Sequence, residues 1–202
     1  SLQGISLHEV HAKIKFGNKI QKQKLCDDII FTHKGISGPL AYIISSLYAR
    51  AEYNTQNPIK VYLSFVDNDV DLQKILNENP KKYIKNILSA FVPKSFAEYI
   101  LEQNNIDDET LCHQINAKTR NIIKNALTKF KITIIDHVKE GEVVTCGGVN
   151  LDEINSKDMQ SKIQKGLYFC GEVINADGFC GGFNLQNCWS TGFLAGSNIT
   201  KK

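Results

Sequence analysis

The residues best suited to chemistry lie near the end of the sequence, in Gly166 to Gly196, GLYFCGEVINADGFCGGFNLQNCWSTGFLAG. Leu167-Tyr168-Phe169-Cys170 is a continuous apolar run that suits a strand buried on both faces. It delivers Gly171-Glu172, a loop carrying Gly178, Gly181 and Gly182, and then an apolar helix that begins at about Asn184. Glycines lack a Cβ, so the backbone can come close to a flat or anionic group, and the first N–H groups of a helix point outward without a carbonyl partner. A ligand edge that gains negative charge fits such a turn, and the pyrimidine edge of a flavin on reduction is one. A carboxylate at the strand end, Glu172, would accept a hydrogen bond from a ribityl hydroxyl, orienting the ligand rather than reacting with it. The glycine spacing is not GxGxxG, so the pyrophosphate-binding half of a dinucleotide site is expected to lie elsewhere.

Other residues with chemical potential read as structural. Cys26, Cys112, Cys146, Cys170, Cys180 and Cys188 form no CxxC pair and are expected to be reduced thiols, with Cys146, Cys170 and Cys180 acting as small hydrophobes. The five histidines, at 8, 11, 33, 113 and 137, have no zinc-ligand spacing, and no metal is assigned. In FTHKGISGP, Phe31 to Pro39, a turn followed by a Pro-initiated helix accounts for Gly35, Ser37, Gly38 and Pro39, although His33 and Ser37 could shape a substrate pocket. Lysines 13, 15, 19, 22 and 24 could touch phosphates, but the default reading is protection of an exposed, solvated sheet edge.

The elements that must position the tail are of two kinds. Val10, Ala12, Ile14 and Phe16 alternate with His11, Lys13 and Lys15, the period of a half-buried strand, and Gly17-Asn18 turns the chain. Further strands are expected over Leu25 to Thr32, Ile59 to Phe65, Ile132 to Ile134 and Val143 to Cys146, the last after a turn at Gly141. A helix is expected from Pro39 to Ala51. Between residues 67 and 129 the spacing becomes helical: Ile84, Ile87, Leu88 and Phe91 after Asn79-Pro80, then Phe96, Ile100 and Leu101, then a helix opening near Asp107-Asp108 and running to Leu127. Ile154 to Lys165 looks like a linker.

Three blocks together resemble the YhiN/BaiN-like, or aminoacetone oxidase-like, family of FAD-dependent oxidoreductases: FTHKGISGP, VTCGGVNLDEI (Val144 to Ile154) with SKDMQSK (Ser156 to Lys162), and the GLYFCGE to LAG tail. The resemblance spans nearly the whole chain. It implies an FAD-binding domain split in sequence by an insert of partial β-barrel plus helices, this chain being insert plus tail. By that likeness Gly171, Glu172, Asp177, Gly181, Gly182, Phe183, Asn184 and Leu185 are the cofactor-binding residues, and the family usually has Asp where this chain has Asn175.

The expected fold is therefore α+β: a partial antiparallel β-barrel (1–66 and 130–154) with an inserted helical bundle (67–129), plus a C-terminal strand-loop-helix fragment (155–202) of an α/β FAD-binding domain. The implied function is FAD-dependent hydride or electron transfer from NAD(P)H to a small-molecule acceptor, with no catalytic acid or base assigned. The implied partner is an N-terminal FAD-binding half, in the same or a separate chain, without which the chain binds FAD poorly. The alternative is a non-catalytic excised or remnant domain that acts only by association with that half; Ser1, no natural initiator, hints at an excised segment. A third reading is a nucleic-acid-binding helical module with Lys82, Lys85, Lys118, Arg120 and Lys124. Against it, 24 basic and 21 acidic residues leave a net charge of only +3, which implies neither nucleic acid nor an anionic membrane. No apolar run reaches the roughly 20 residues of a membrane span, and a cytoplasmic location is expected.

Overall fold

The computed structural model describes residues 2–67, 70–138 and 144–199. The chain divides into two compact units, Ser1–Ala41 with Glu52–Asp136, and Tyr42–Ala51 with His137–Lys202.

The first unit is built on an antiparallel sheet that curls into a half-barrel. Its strands are β1 (Ser6–Phe16), β2 (Lys19–Ile20), β3 (Leu25–Thr32), β4 (Gly35–Ser37), β5 (Ile59–Ser64) and β6 (Phe130–Ile134), in the order β4-β3-β1-β5-β6 with β2 paired to β1. Alternation makes the sheet two-faced: Val10, Ala12 and Ile14 of β1 and Ile59, Val61 and Leu63 of β5 are buried. The register lines these residues up, Ile14 opposite Val61 and Val61 opposite Ile132. Strand β1 begins four residues before its alternation does because a bulge between Leu7 and Val10 breaks the period. Glu9, in the bulge, has φ +52°, and Asp28 clamps it by accepting the Glu9 N–H at 3.0 Å and bonding His8 Nδ1 at 2.8 Å.

Helices cover the inner face. They are α2 (Leu72–Glu78), α3 (Ile84–Leu88), α4 (Lys94–Gln103) and α5 (Ala117–Thr128). Phe96 of α4 is fully buried, stacked on Phe31 at 5.9 Å and packed on Phe65 at 4.9 Å and Phe130 at 5.2 Å between ring centroids. Such ring pairs contribute about 0.5–1.5 kcal/mol each beyond area burial, so Phe96 pins α4 to the sheet. The helix expected from Asp107 starts ten residues later. Asp107 accepts the Glu109 N–H in a local turn and Asp108 pairs with Lys85 at 2.9 Å, so neither caps a helix. Asn116 does, accepting the Thr119 N–H at 2.9 Å.

Helix α1 (Pro39–Tyr48) begins in the first unit, and its length from Tyr42 belongs to the second. In the second unit Ile154, Met159, Ile174 and Ala195 form a small core, against which Val149, Tyr168, Phe169, Ala176 and Leu194 pack. Ile154 to Lys165 is therefore folded rather than a linker. It makes a tight meander, with Asn155 N–H donating to Gln160 O at 2.8 Å and Lys162 N–H to Glu153 O at 2.8 Å. The strand expected at Leu167 to Cys170 is reduced to one bridge, Tyr168 to Gln160, and Leu167 is exposed. Its neighbour is the short 159–161 segment alone, with Ser161 N–H donating to Leu167 O at 2.8 Å and Phe169 N–H to Met159 O at 3.1 Å, too little for a continued ladder. Gly141 and Val143 lie outside the described residues; Val144 to Cys146 form no strand, and Gly147 and Gly148 follow at φ +133° and +126°. The last helix, α6 (Phe183–Ile199), closes the unit. No helix among the described residues is long and apolar enough to cross a membrane.

Candidate flavin-contacting turn

The candidate site lies within the second unit, where the VTCGGV and GEVINADGF segments meet. Gly148 brings the chain against residues 173–174: Val149 N–H donates to Val173 O at 2.8 Å and Asn175 N–H to Val149 O at 2.9 Å, a parallel bridge. A side chain at 148 has no room, since a Cβ would collide with the Val173 carbonyl. Gly171, at φ +71°, is fastened to α6 by its N–H donating to Thr191 Oγ1 at 2.9 Å.

From that base the loop 175–182 is held by polar contacts. Asp177, 17% exposed, accepts from Ser46 Oγ at 3.2 Å and Arg50 Nη2 at 3.2 Å, with Cys146 Sγ at 3.8 Å. Arg50 also donates to Asn175 Oδ1 at 2.6 Å. The amide thus accepts the bond that a carboxylate would accept there, and the Asp-to-Asn departure removes a charge while keeping the contact. Asn184 closes the loop, its Oδ1 accepting the Gly178 N–H at 2.7 Å and its Nδ2 donating to Gly178 O at 3.1 Å. Gly181 and Gly182, at φ +131° and +91°, then turn the chain into α6. Both are exposed, and the space a Gly182 side chain would enter is empty. The first-turn N–H groups of α6, on Phe183, Asn184 and Leu185, have no carbonyl four residues back within the helix. Beside them is a hollow of about 370 Å³ lined by Asp177, Gly178, Phe179 and Phe183.

The arrangement can bind a flat, partly apolar, electron-rich ligand edge: aromatic walls, a bare glycine turn and the positive end of a 17-residue helix. It offers no general acid or base in the hollow beyond Asp177, whose carboxylate is already committed to Arg50, Ser46 and Cys146. Glu172 is exposed in the middle of the Gly171–Val173 turn and does not line the hollow. Of the sequence-derived residues, Asp177, Gly181, Gly182, Phe183 and Asn184 surround one turn, and Gly171 anchors its base; Asp177 and Asn184 hold the loop through their side chains. Leu185 points out, 59% exposed, and with Trp189 at 67% and Phe193 at 78% makes an apolar stripe at i, i+4 and i+8. Ser46 and Arg50 were not singled out from sequence. Their only signal is a cation ending an otherwise apolar helical stretch. Among the described residues no group of His, Cys, Asp and Glu could hold a metal ion.

Residues 1–139 match the family described as "HI0933-like protein barrel and H2TH domain". The chain is 32% identical over 180 residues to the ribosomal RNA dihydrouridine synthase of Escherichia coli, covering 86% of this chain and 42% of the relative. It is 30% identical to the protein of the same name from Haemophilus influenzae, covering 87% and 43%. It is 27% identical to the 3-dehydro-bile acid delta(4,6)-reductase of Clostridium scindens, covering 93% and 48%. The chain therefore belongs to the HI0933-like family, the YhiN/BaiN-like flavoprotein oxidoreductases that its three motif blocks resemble. It spans a little under half the length of these curated relatives.

Proposed function

We propose that this chain supplies one wall of the FAD site in a reductase that adds hydride to a carbon–carbon double bond conjugated with a carbonyl, the acceptor being a uracil base in RNA. The names of the relatives support the reaction class. Dihydrouridine is uridine saturated at its 5,6 double bond, which is conjugated with the 4-carbonyl, and a 3-dehydro-delta(4,6) bile acid carries double bonds conjugated with its 3-ketone. Uracil is preferred because the two dihydrouridine synthases, at 32% and 30% identity, are more similar to this chain than the bile acid reductase at 27%.

The observation that carries the reading is the exposed Gly181-Gly182 turn opening α6 beside the Phe179 and Phe183 walls. A bound FAD would supply the hydride, replenished from NAD(P)H. The chain's own part is electrostatic and positional. The first-turn N–H groups of α6 and its dipole would stabilise negative charge on the ligand edge, and the Arg50–Asp177 and Asn184–Gly178 contacts keep the turn fixed so that little reorganisation is needed. The apolar stripe Leu185, Trp189 and Phe193 would be covered by the FAD-binding half that carries the pyrophosphate-binding glycines, in the same or a separate chain.

The test is to purify the protein carrying both halves, record its flavin absorbance, and incubate it with NADPH or NADH and either a ribosomal RNA fragment or a 3-oxo-4,6-diene steroid. Dihydrouridine formation supports the proposal; steroid reduction alone would move the acceptor to the second class, and a colourless protein would remove the flavin reading. The association reading is tested by mixing this chain with a separately produced N-terminal half and FAD, where failure to co-elute counts against it.

A further inference from the structure

The register of the half-barrel places lysines side by side on the solvent face in a way that the linear sequence does not show. Strands β1, β5 and β6 run next to one another, and their outward residues fall in two rows. One row is Lys13, Tyr62 and Lys131; the next is Lys15, Lys60 and Thr133. Lys15 and Lys60 stand directly opposite each other, a placement of like charges that destabilises a sheet. None of the four lysines makes an ion pair among the described residues. Edge protection does not account for three of them, because Lys13, Lys15 and Lys60 sit on β1 and β5, strands inside the sheet. Of the acids of β1 and β3, Asp27 is paired with Val10, three residues or about 10 Å along the strand from Lys13, and Glu9 and Asp28 lie farther toward the other end of β1. Asp136, three residues past Thr133, is the nearest acid after β6.

We infer that this face, Lys13, Lys15, Lys60 and Lys131 around Tyr62, is the surface that grips the phosphate backbone of an RNA strand, with Tyr62 as a stacking platform for a base. The inference rests on the reading of the acceptor as a uracil within RNA, and names the surface that would hold that RNA. Unpaired lysines flanking an aromatic ring are the arrangement that tracks a single strand, charge on the phosphates and the ring on a base. The two rows carry no aliphatic residue at their outward positions, and Ile20, opposite Lys15, is the exposed aliphatic at the margin. A face that inserts into an anionic bilayer needs a larger apolar component than that. The near-balance of total charge conceals the patch, because net charge sums over residues that the register separates.

The experiment is fluorescence anisotropy with a labelled, uridine-containing single-stranded RNA across a salt series, using the chain and the full-length protein. Three charge reversals (Lys13→Glu, Lys60→Glu and Lys131→Glu) should weaken binding at least tenfold at low salt. They should also make the log–log salt dependence shallower by about 2, since each phosphate left without its lysine removes roughly 0.7 from the slope. Tyr62→Ala should weaken binding several-fold with the salt slope unchanged. Lys60→Glu also turns a like-charge pair into an opposite-charge pair, so its melting temperature should equal or exceed that of the wild type, which separates lost binding from lost folding. Reversing Lys81, Lys118 and Lys124 on the helical segment should leave RNA affinity within twofold. Unchanged RNA affinity in the triple variant, or binding to phosphatidylglycerol vesicles in preference to RNA, overturns the inference. If the wild type binds RNA through this face but forms no dihydrouridine, the acceptor reading falls and the binding surface stands; dihydrouridine formed equally well by the triple variant has the opposite meaning.

Discussion

Gly148→Ala is the substitution whose cost follows most directly from the geometry, and Gly147→Ala is its built-in control. Both glycines hold φ values that a side chain rarely adopts, +126° and +133°, so an alanine at either costs about 1–3 kcal/mol in backbone strain. At 147 that is the whole cost, because the added Cβ meets nothing within 4 Å. At 148 the Cβ also runs into the Val173 carbonyl and lies 2.9 Å from the carbonyl carbon of Ile174. The two segments must then part. That breaks the 2.8 Å bond from Val149 N–H and the 2.9 Å bond from Asn175 N–H, at about 1 kcal/mol each. Gly148→Ala should therefore destabilise the second unit by about 3–5 kcal/mol, roughly 2 more than Gly147→Ala. Urea titration followed by circular dichroism gives the stabilities. Hydrogen exchange at the Val149 and Asn175 amides shows where the loss falls, both amides losing protection in Gly148→Ala and keeping it in Gly147→Ala. Equal losses in the two variants, or intact protection in Gly148→Ala, would refute the close approach and with it the positioning of the 175–182 loop.

Three further outcomes are expected. Asn184→Ala removes both bonds to Gly178 and should cost about 1–2 kcal/mol, with faster exchange confined to 178–184, measured by mass spectrometry. The Asp28 carboxyl is held below the ordinary carboxylate value, chiefly by its bond to His8 and then by the Glu9 N–H. A depressed folded pKa contributes stability that is present above the ordinary value of 3.8 and is lost as pH falls through the lower folded value. Asp28→Asn should therefore flatten that acid limb in a pH series of melting curves, leaving neutral and alkaline behaviour parallel to wild type. Burial pushes the Cys112 thiol up, while Cys170 and Cys180 are exposed. Timed iodoacetamide labelling read by mass spectrometry should modify Cys170 and Cys180 well before Cys112, and early labelling of Cys112 would mean that the helical layer opens readily.

The half-barrel was legible because alternation is a local signal. Leu25–Thr32 was bounded correctly, and Val10 to Phe16 and Ile59 to Phe65 nearly so, since each buries one face and shows it every second residue. Where local geometry departs from the period, the sequence misleads. The bulge at Leu7–Val10 hid the start of β1, and Asp107-Asp108 looked like a helix start although a turn and Lys85 use both carboxylates. The Leu167 to Cys170 run has strand composition, but a ladder is made by neighbours, which no composition reveals. At the candidate site the glycines were readable because positive φ demands them. The contacts of Ser46 and Arg50 with the 175–177 loop, 125 to 131 residues away, were not, since they depend on where the chain returns in space. The lysine rows were hidden for the same reason: only the register tells an edge from a face.

On the function proposed above, the Gly181-Gly182 turn at the start of α6 is a wall of the flavin site. Gly182→Val in the protein carrying both halves tests this most directly, with Gly182→Ala as the control for the backbone strain that φ +91° imposes on any side chain, because an added Cβ meets nothing within 4 Å in this chain. With protein mass and flavin absorbance measured on the same purified sample, the variant should lose most of its bound flavin while the half-barrel unit melts as in wild type. A variant that retains flavin at the wild-type ratio, with an unaltered flavin spectrum, would contradict the claim.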